Sequence, residues 1–173
     1  DGDGDMDILS VSHNSNHIFY YDNDGSESFT EHVIPSTADL IQSVYAEDVD
    51  GDGDMDVLSA SSVDNKIAWY ENEGSPAAPE NFTEHVISTS AERAESVYAA
   101  DVDGDGDMDV LSASHDDDKI AWYENNGSET FTEHVISTSA DGAWSVYTAD
   151  VDADGDMDVL SASERGDKIA WYE

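Results

Sequence analysis

The run Asp101-Val102-Asp103-Gly104-Asp105-Gly106-Asp107-Met108-Asp109-Val110-Leu111 sets a carboxylate at every second residue and a glycine at the sixth position. Counting Asp101 as one, the acids fall at positions one, three, five, seven and nine. Alternate residues of a tightly wound loop turn their oxygens toward one centre, and a hard divalent cation takes six to eight oxygen ligands at about 2.3–2.6 Å. Gly106 permits the sharp turn, since it has no Cβ to clash at positive φ. Side-chain ligands are expected from Asp101, Asp103, Asp105 and Asp109. Asp107 is expected to bind through its carbonyl, by analogy with other calcium loops. Oxygen-only donors in a flexible loop favour Ca²⁺ over Zn²⁺, and Mg²⁺ sheds its water too reluctantly to prefer such a cage. Position twelve is Ser112, where an EF-hand has a bidentate glutamate, so the loop is of another kind.

The run recurs. Asp48 to Leu58 repeats it, Asp150 to Leu160 repeats it with Ala153 for a glycine, and Asp1 to Leu9 is the same run without its first two residues. The position-six glycines Gly4, Gly53, Gly106 and Gly155 mark a period of about 50 residues, within the range of propeller blades.

The elements that hold these loops read as strands. In the unit starting at Ser96, SVYAADV enters the loop and MDVLSAS leaves it. KIAWYE (119–124) follows a polar turn, and FTEHVIS (131–137) follows Asn125-Asn126-Gly127-Ser128, a hairpin signal. Ile120 and Trp122 share one face and Ala121 and Tyr123 the other, a period of two. VLSA is short, small and apolar, as a strand buried on both faces should be. No stretch keeps a helical period. Four antiparallel strands per repeat describe a propeller blade. The aromatic at Trp69, Trp122 and Trp171, with Phe19 in the first copy, is expected to pack between blades.

Composition sets limits on partners. The 173 residues carry 42 acidic side chains against 5 basic ones, a formal charge of -37. Nucleic acid and anionic membranes need Lys and Arg to meet phosphate, so neither is a partner of this surface. Nearly half of the acids sit in the four loops, four in the first and five in each of the others, where bound cations would neutralise them. There is no cysteine, hence no disulfide and no thiolate metal site. No apolar run is long enough to span a membrane. Calcium loops point outside the cell, where the ion is millimolar, so an extracellular or cell-surface location is expected. The chain begins inside a loop and lacks an initiator Met, which places its start upstream.

The motif D-V-D-G-D-G-D-M-D-V-L followed by a small-residue strand resembles the FG-GAP/VCBS repeat family, and the resemblance covers essentially the whole chain. It implies an all-β, β-propeller-type array of four-stranded antiparallel blades, about three and a half of them here. Residues 1–37 form a partial blade, 38–90 and 91–139 whole blades, and 140–173 a second partial blade. The resemblance also implies Ca²⁺ between the first and second strands of each blade. Its ligands would be Asp48, Asp50, Asp52, Asp54 and Asp56; Asp101, Asp103, Asp105, Asp107 and Asp109; and Asp150, Asp152, Asp154, Asp156 and Asp158. The first copy keeps Asp1, Asp3, Asp5 and Asp7 and lacks position one.

The copies differ most in the turns between second and third strands and in the links between units, which emerge together at the end opposite the acidic loops. That end is the expected contact surface for a protein or glycan partner, with Trp144, Arg93 and Arg165 as candidates. The open blade edges suit self-assembly into an oligomer or filament. His32, His85 and His134 recur at one strand position, as scaffold residues do, and no Ser-His-Asp arrangement stands apart from the repeat. The expected function is that of a non-enzymatic, extracellular calcium-binding protein with a structural or adhesive role. The alternative is a carbohydrate-binding propeller attached to a secreted polysaccharide-degrading enzyme.

Overall fold

The computed structural model describes residues 4–12, 16–74 and 81–173. Asp1 and Asp3, most of the first variable turn (13–15) and the enlarged hairpin at 76–79 lie outside them. Fourteen strands and no helix occur among the described residues. They form four antiparallel sheets, each a meander in chain order. The first holds β1 (Ile8–Ser12), β2 (His17–Asn23) and β3 (Phe29–Ile34). The second holds β4 (Ile41–Glu47), β5 (Asp56–Ser61), β6 (Lys66–Asn72) and β7 (Phe82–Ser88). The third holds β8 (Ala94–Ala100), β9 (Asp109–Ser114), β10 (Lys119–Asn125) and β11 (Phe131–Ser137). The fourth holds β12 (Ala143–Ala149), β13 (Asp158–Ser163) and β14 (Lys168–Tyr172).

The third sheet's first strand starts at Ala94 rather than Ser96. Ala94 pairs with Ser114 while Ser96 pairs with Ala113, so Glu95 is an extra residue in the ladder, a β-bulge. Gln42 and Trp144 sit at the same irregularity in β4 and β12.

Period-two alternation gives each central strand two apolar faces, and each face meets a different neighbour. Leu58, Ala60, Ile67 and Trp69 of the second sheet pack on Ala94, Val97, Ala99, Val110, Ala121 and Tyr123 of the third. The opposite face, with Val57, Ala68 and Tyr70, packs on Ile18, Leu9, Val11 and Tyr20 of the first. Leu111, Ala113 and Ile120 in turn meet Ala143, Val146 and Val159 of the fourth. Being covered on both sides explains why β5 and β9 are buried along their whole length. The first strands also touch directly. Tyr45, Tyr98 and Tyr147 form a row with ring centres 4.7 Å apart at both steps. Burial and the flanking phenols push the Tyr98 hydroxyl far above its ordinary value.

The residue that takes the place of Trp69 in the first sheet is Tyr20, which corrects the expectation of Phe19. Ile18 aligns with Ile67, so the next residue on the same face is two along, and Phe19 points the other way. Tyr20 stacks on His32 at 5.4 Å as Trp69 does on His85 at 4.6 Å and Trp122 on His134 at 4.7 Å. His85 and His134 also face Glu71 and Glu124 at 2.8 and 2.7 Å. On the fourth sheet this face is bare: Trp171 is 46% exposed where Trp69 is 1% exposed.

One ion pair ties the outer strands. Lys66 Nζ on β6 donates to Glu84 Oε1 on β7 at 2.7 Å and to Thr37 Oγ1 at 2.9 Å; Lys66 is buried and Glu84 half-buried. Lys119 meets Glu133 the same way at 2.9 Å. Burial works against both charges of the Lys66–Glu84 pair. Their mutual hydrogen bond and attraction outweigh it, so Glu84 lies below and Lys66 above its ordinary value. A depressed carboxylate contributes stability above its unfolded value and loses it as pH falls through its folded one; a raised amine contributes below its unfolded value and loses it as pH rises. Glu84→Gln should therefore cost about 2–3 kcal/mol at neutral pH, with Asp64 at 3.4 Å softening the loss. The gap from wild type should close as pH drops below about 4.5. Urea melts of both proteins at pH 7 and pH 3 measure it, and a gap unchanged by acid would refute the pairing.

Candidate metal centre

The acidic loops at 48–56, 101–109 and 150–158 each join the first and second strands of a sheet, the first and incomplete loop leads into β1, and hydrogen bonds within the loops wind them. In the second sheet's loop, Asp48 at position one accepts from the backbone N–H of Gly51 through Oδ1 (2.8 Å) and of Gly53 through Oδ2 (3.1 Å). Asp50 accepts from Asp52 N–H at 3.1 Å, and Asp52 from Asp54 N–H at 2.9 Å. These short side-chain turns are what Asp does best when the backbone cannot pair with a strand. The loop from Asp101 repeats every one of these contacts. Position six sits at φ +101° in Gly53, +100° in Gly106 and +103° in Gly155, a region that side chains rarely enter. At position four, glycine gives way to Ala153 in the last loop, which holds φ 64° at a cost of about 1 kcal/mol. There the Asp150 Oδ1 bond goes to Asp154 N–H instead.

The result brings positions one, three and nine together. Asp48, Asp50 and Asp56 offer oxygens within 4.8 Å of one another, as do Asp101, Asp103 and Asp109, and Asp150, Asp152 and Asp158. Oxygens bound to one Ca²⁺ at about 2.3–2.6 Å lie no more than about 5 Å apart, so each triad fits that ion. The donors are all hard oxygens, and no His nitrogen takes part in these triads. Positions five (Asp52, Asp105, Asp154) and seven (Asp54, Asp107, Asp156) fall outside the triads. The position-five side chains each accept from a position-seven N–H. Position seven reaches toward the last hairpin of its sheet: a Cβ on Gly74 or Gly127 would collide with the carboxylate of Asp54 or Asp107, and one on Gly25 with that of Asp5.

Position nine anchors the loop to the sheet. Asp56 and Asp109 are fully buried. Asp56 Oδ2 accepts from Val49 N–H at 3.0 Å and Oδ1 from Asn72 N–H at 2.7 Å; Asp109 does the same with Val102 (2.9 Å) and Asn125 (2.8 Å). Burial pushes the Asp56 carboxyl up to about 6, although the bonds from Asn72 and Val49 pull it down. The Trp69 indole N–H lies beside Asp56 and pulls the same way, without forming a well-aligned hydrogen bond. Asp109 is raised for the same reason. Asp50 is raised by burial and by its neighbours Asp52, Glu71 and Asp48. Crowded carboxylates that resist ionising are what a divalent cation reverses. Asp7 occupies position nine in the first loop, accepting from Asn23 N–H at 2.9 Å.

Asn23, Asn72 and Asn125 were not singled out as site residues from the sequence. Each lies sixteen residues beyond its position-nine Asp, and each side chain donates to the carbonyl of the loop's methionine (Met6, Met55, Met108) at 3.1–3.2 Å. Their fixed offset in three copies was the available signal.

At the other end of the sheets, the candidates Arg93, Arg165 and Trp144 converge. His115 is buried, with Nδ1 2.8 Å from Asp116 and Nε2 3.3 Å from Glu164, and its ring meets Trp144 edge-on at 6.1 Å. Arg93 and Arg165 both reach Asp116 Oδ1, at 3.7 and 3.5 Å.

The model of the FG-GAP-like repeat matches residues 1–59, 48–112 and 101–161. The chain belongs to the FG-GAP-like repeat family. Each match opens on one acidic loop and closes just past the next, so the repeat of the family and the repeat of the structure share their landmarks. Among solved structures, the chain is similar to the crystal structure of the V. cholerae biofilm matrix protein Bap1. The TM-score is 0.58 and the identity 22%, over 93% of this chain and 22% of that one. A likeness at this identity is one of fold. A comparison with curated proteins finds no match. No helix among the described residues is long and apolar enough to cross a membrane.

Proposed function

We propose that this is an extracellular, non-enzymatic repeat protein with a structural or adhesive role, and that Ca²⁺ staples the loop between the first and second strands of each blade. The observation that carries the reading is the recurrence of one carboxylate triad, at positions one, three and nine, in three successive units. A catalytic centre is built once per fold, whereas these groups come with the repeat. A bound ion would supply charge neutralisation and cross-linking of the loop. The protein's own part is to bring the oxygens together, to hold position nine through Val and Asn N–H groups, and to keep the strands that flank the loop in register. The Bap1 likeness supports the setting, since a matrix protein is a structural component outside the cell. The sheets stack face to face as successive blades of a propeller-type array, and the bare faces and edges of the end sheets are where further units or copies join.

The test is a count. Equilibrium dialysis at millimolar calcium should find at least three ions per chain, one for each complete triad. Asp101→Asn with Asp103→Asn should lower the count by one. A count of zero, or one that the double substitution leaves unchanged, rejects the assignment.

A further inference from the structure

We infer that Asn125 couples the loop of the second sheet to the loop of the third, so that filling one raises the affinity of the other; this rests on the calcium reading above. The connection is a continuous path of hydrogen bonds between two position-nine carboxylates. Asp56 Oδ2 accepts from the N–H of Val49 at 3.0 Å. The carbonyl of Val49 accepts from Asn125 Nδ2 at 3.2 Å, across 76 residues of chain. The backbone N–H of Asn125 donates to Asp109 Oδ1 at 2.8 Å. Val49 lies between Asp48 and Asp50, two members of the second sheet's triad, so an ion held by both fixes the plane of the Val49 peptide and aims its carbonyl.

Asn125 has little freedom to respond in any other way. It is 3% exposed. Its amide also donates to Met108 O at 3.2 Å, and its Oδ1 accepts from Gly127 N–H at 3.2 Å. A shift of Val49 strands a buried donor unless Asn125 follows, and Asn125 carries the N–H that holds Asp109. The two loops also share the walls of a cavity of about 50 Å³, lined by Val49 and Asp50 from one side and Asp107, Asn125 and Glu129 from the other. Asn125 is thus a positioning residue for the third loop that reads the state of the second.

Within these 173 residues both partners are present at this boundary alone: the counterpart of Val49 in the first loop would precede Asp1, and the counterpart of Asn125 in the fourth sheet would follow Glu173. Asn72 makes the bond to its own loop's Met55 and is half-buried. Among the described residues no side chain bonds the Val102 carbonyl, so the third and fourth loops of this chain supply an internal control. Coupling free energies are reciprocal, so emptying either loop weakens the other by the same factor.

Calcium titrations of the whole chain, followed by NMR at the amides of Gly53, Gly106 and Gly155, read the three loops separately. Asp48→Asn with Asp50→Asn should weaken binding at Gly106 about fivefold, the worth of one buried hydrogen bond, and leave Gly155 unchanged. Asp101→Asn with Asp103→Asn should weaken Gly53 by the same factor, with Asn125 itself untouched. In Asn125→Ala the two loops should titrate independently. Wild-type affinity at Gly106 with the second loop emptied would overturn the coupling while leaving the calcium reading intact. Glycine amides that ignore calcium altogether would overturn both.

Discussion

Chelation should strip this protein of a large part of its stability. At about 1 mM free Ca²⁺ and a site affinity of about 10 µM, linkage contributes roughly 2.7 kcal/mol per site. Three complete triads then contribute about 8 kcal/mol, comparable with the whole stability of an ordinary domain at about 5–15 kcal/mol. At this chain length each kcal/mol moves the melting temperature by about 2–4 °C, so EDTA should lower it by about 15–30 °C. The direction follows from charge as well. The loops crowd carboxylates within 4.8 Å of one another on a chain of net charge -37. With the ions gone, that repulsion acts against the fold. Calorimetry in 1 mM CaCl₂ and in EDTA measures the effect, with Mg²⁺ as the control for general screening. A melting curve that EDTA does not move would reject calcium as the staple.

The second large effect belongs to Asp109→Ala. This substitution removes the acceptor of two backbone N–H groups, Val102 and Asn125, at a site closed to water. A buried donor left without a partner costs about 1–3 kcal/mol, so the variant should lose about 2–4 kcal/mol even in EDTA. In calcium it should lose about 3 kcal/mol more, because one triad is gone. Asp105→Ala, which leaves the triad and both anchoring bonds in place, should cost far less in EDTA. Urea melts of the two variants with and without calcium separate anchor from ligand. Equal losses for Asp105→Ala and Asp109→Ala would show that position nine has no anchoring role.

Much of this was legible because the chain repeats itself. The acidic loops, the strands on either side of them and the two-faced burial of VLSA all follow from residue types at fixed spacing, and four copies average out local accidents. Three things escaped, each for a physical reason. The aromatic partner of His32 is set by strand register, and two adjacent aromatics, Phe19 and Tyr20, cannot be told apart without it. Which acids converge depends on loop winding: alternation alone does not single out positions one, three and nine, whose oxygens the structure brings within 4.8 Å of one another. The asparagines at 23, 72 and 125 look like hairpin residues. Their weight lies partly in a backbone N–H, which every residue type but proline possesses and no composition reveals.

The bulge in β4, β8 and β12 takes one residue of each sheet out of the ladder that holds it up. Gln42, Glu95 and Trp144 stand outside the regular pairing of their ladders, so each is an interchangeable fitting on a fixed chassis. An amide, an acid and an indole already occupy the three sockets without disturbing the rungs on either side. Over time, or in the hands of a protein engineer, one end of the molecule can be re-dressed unit by unit while the acidic loops at the other keep their winding.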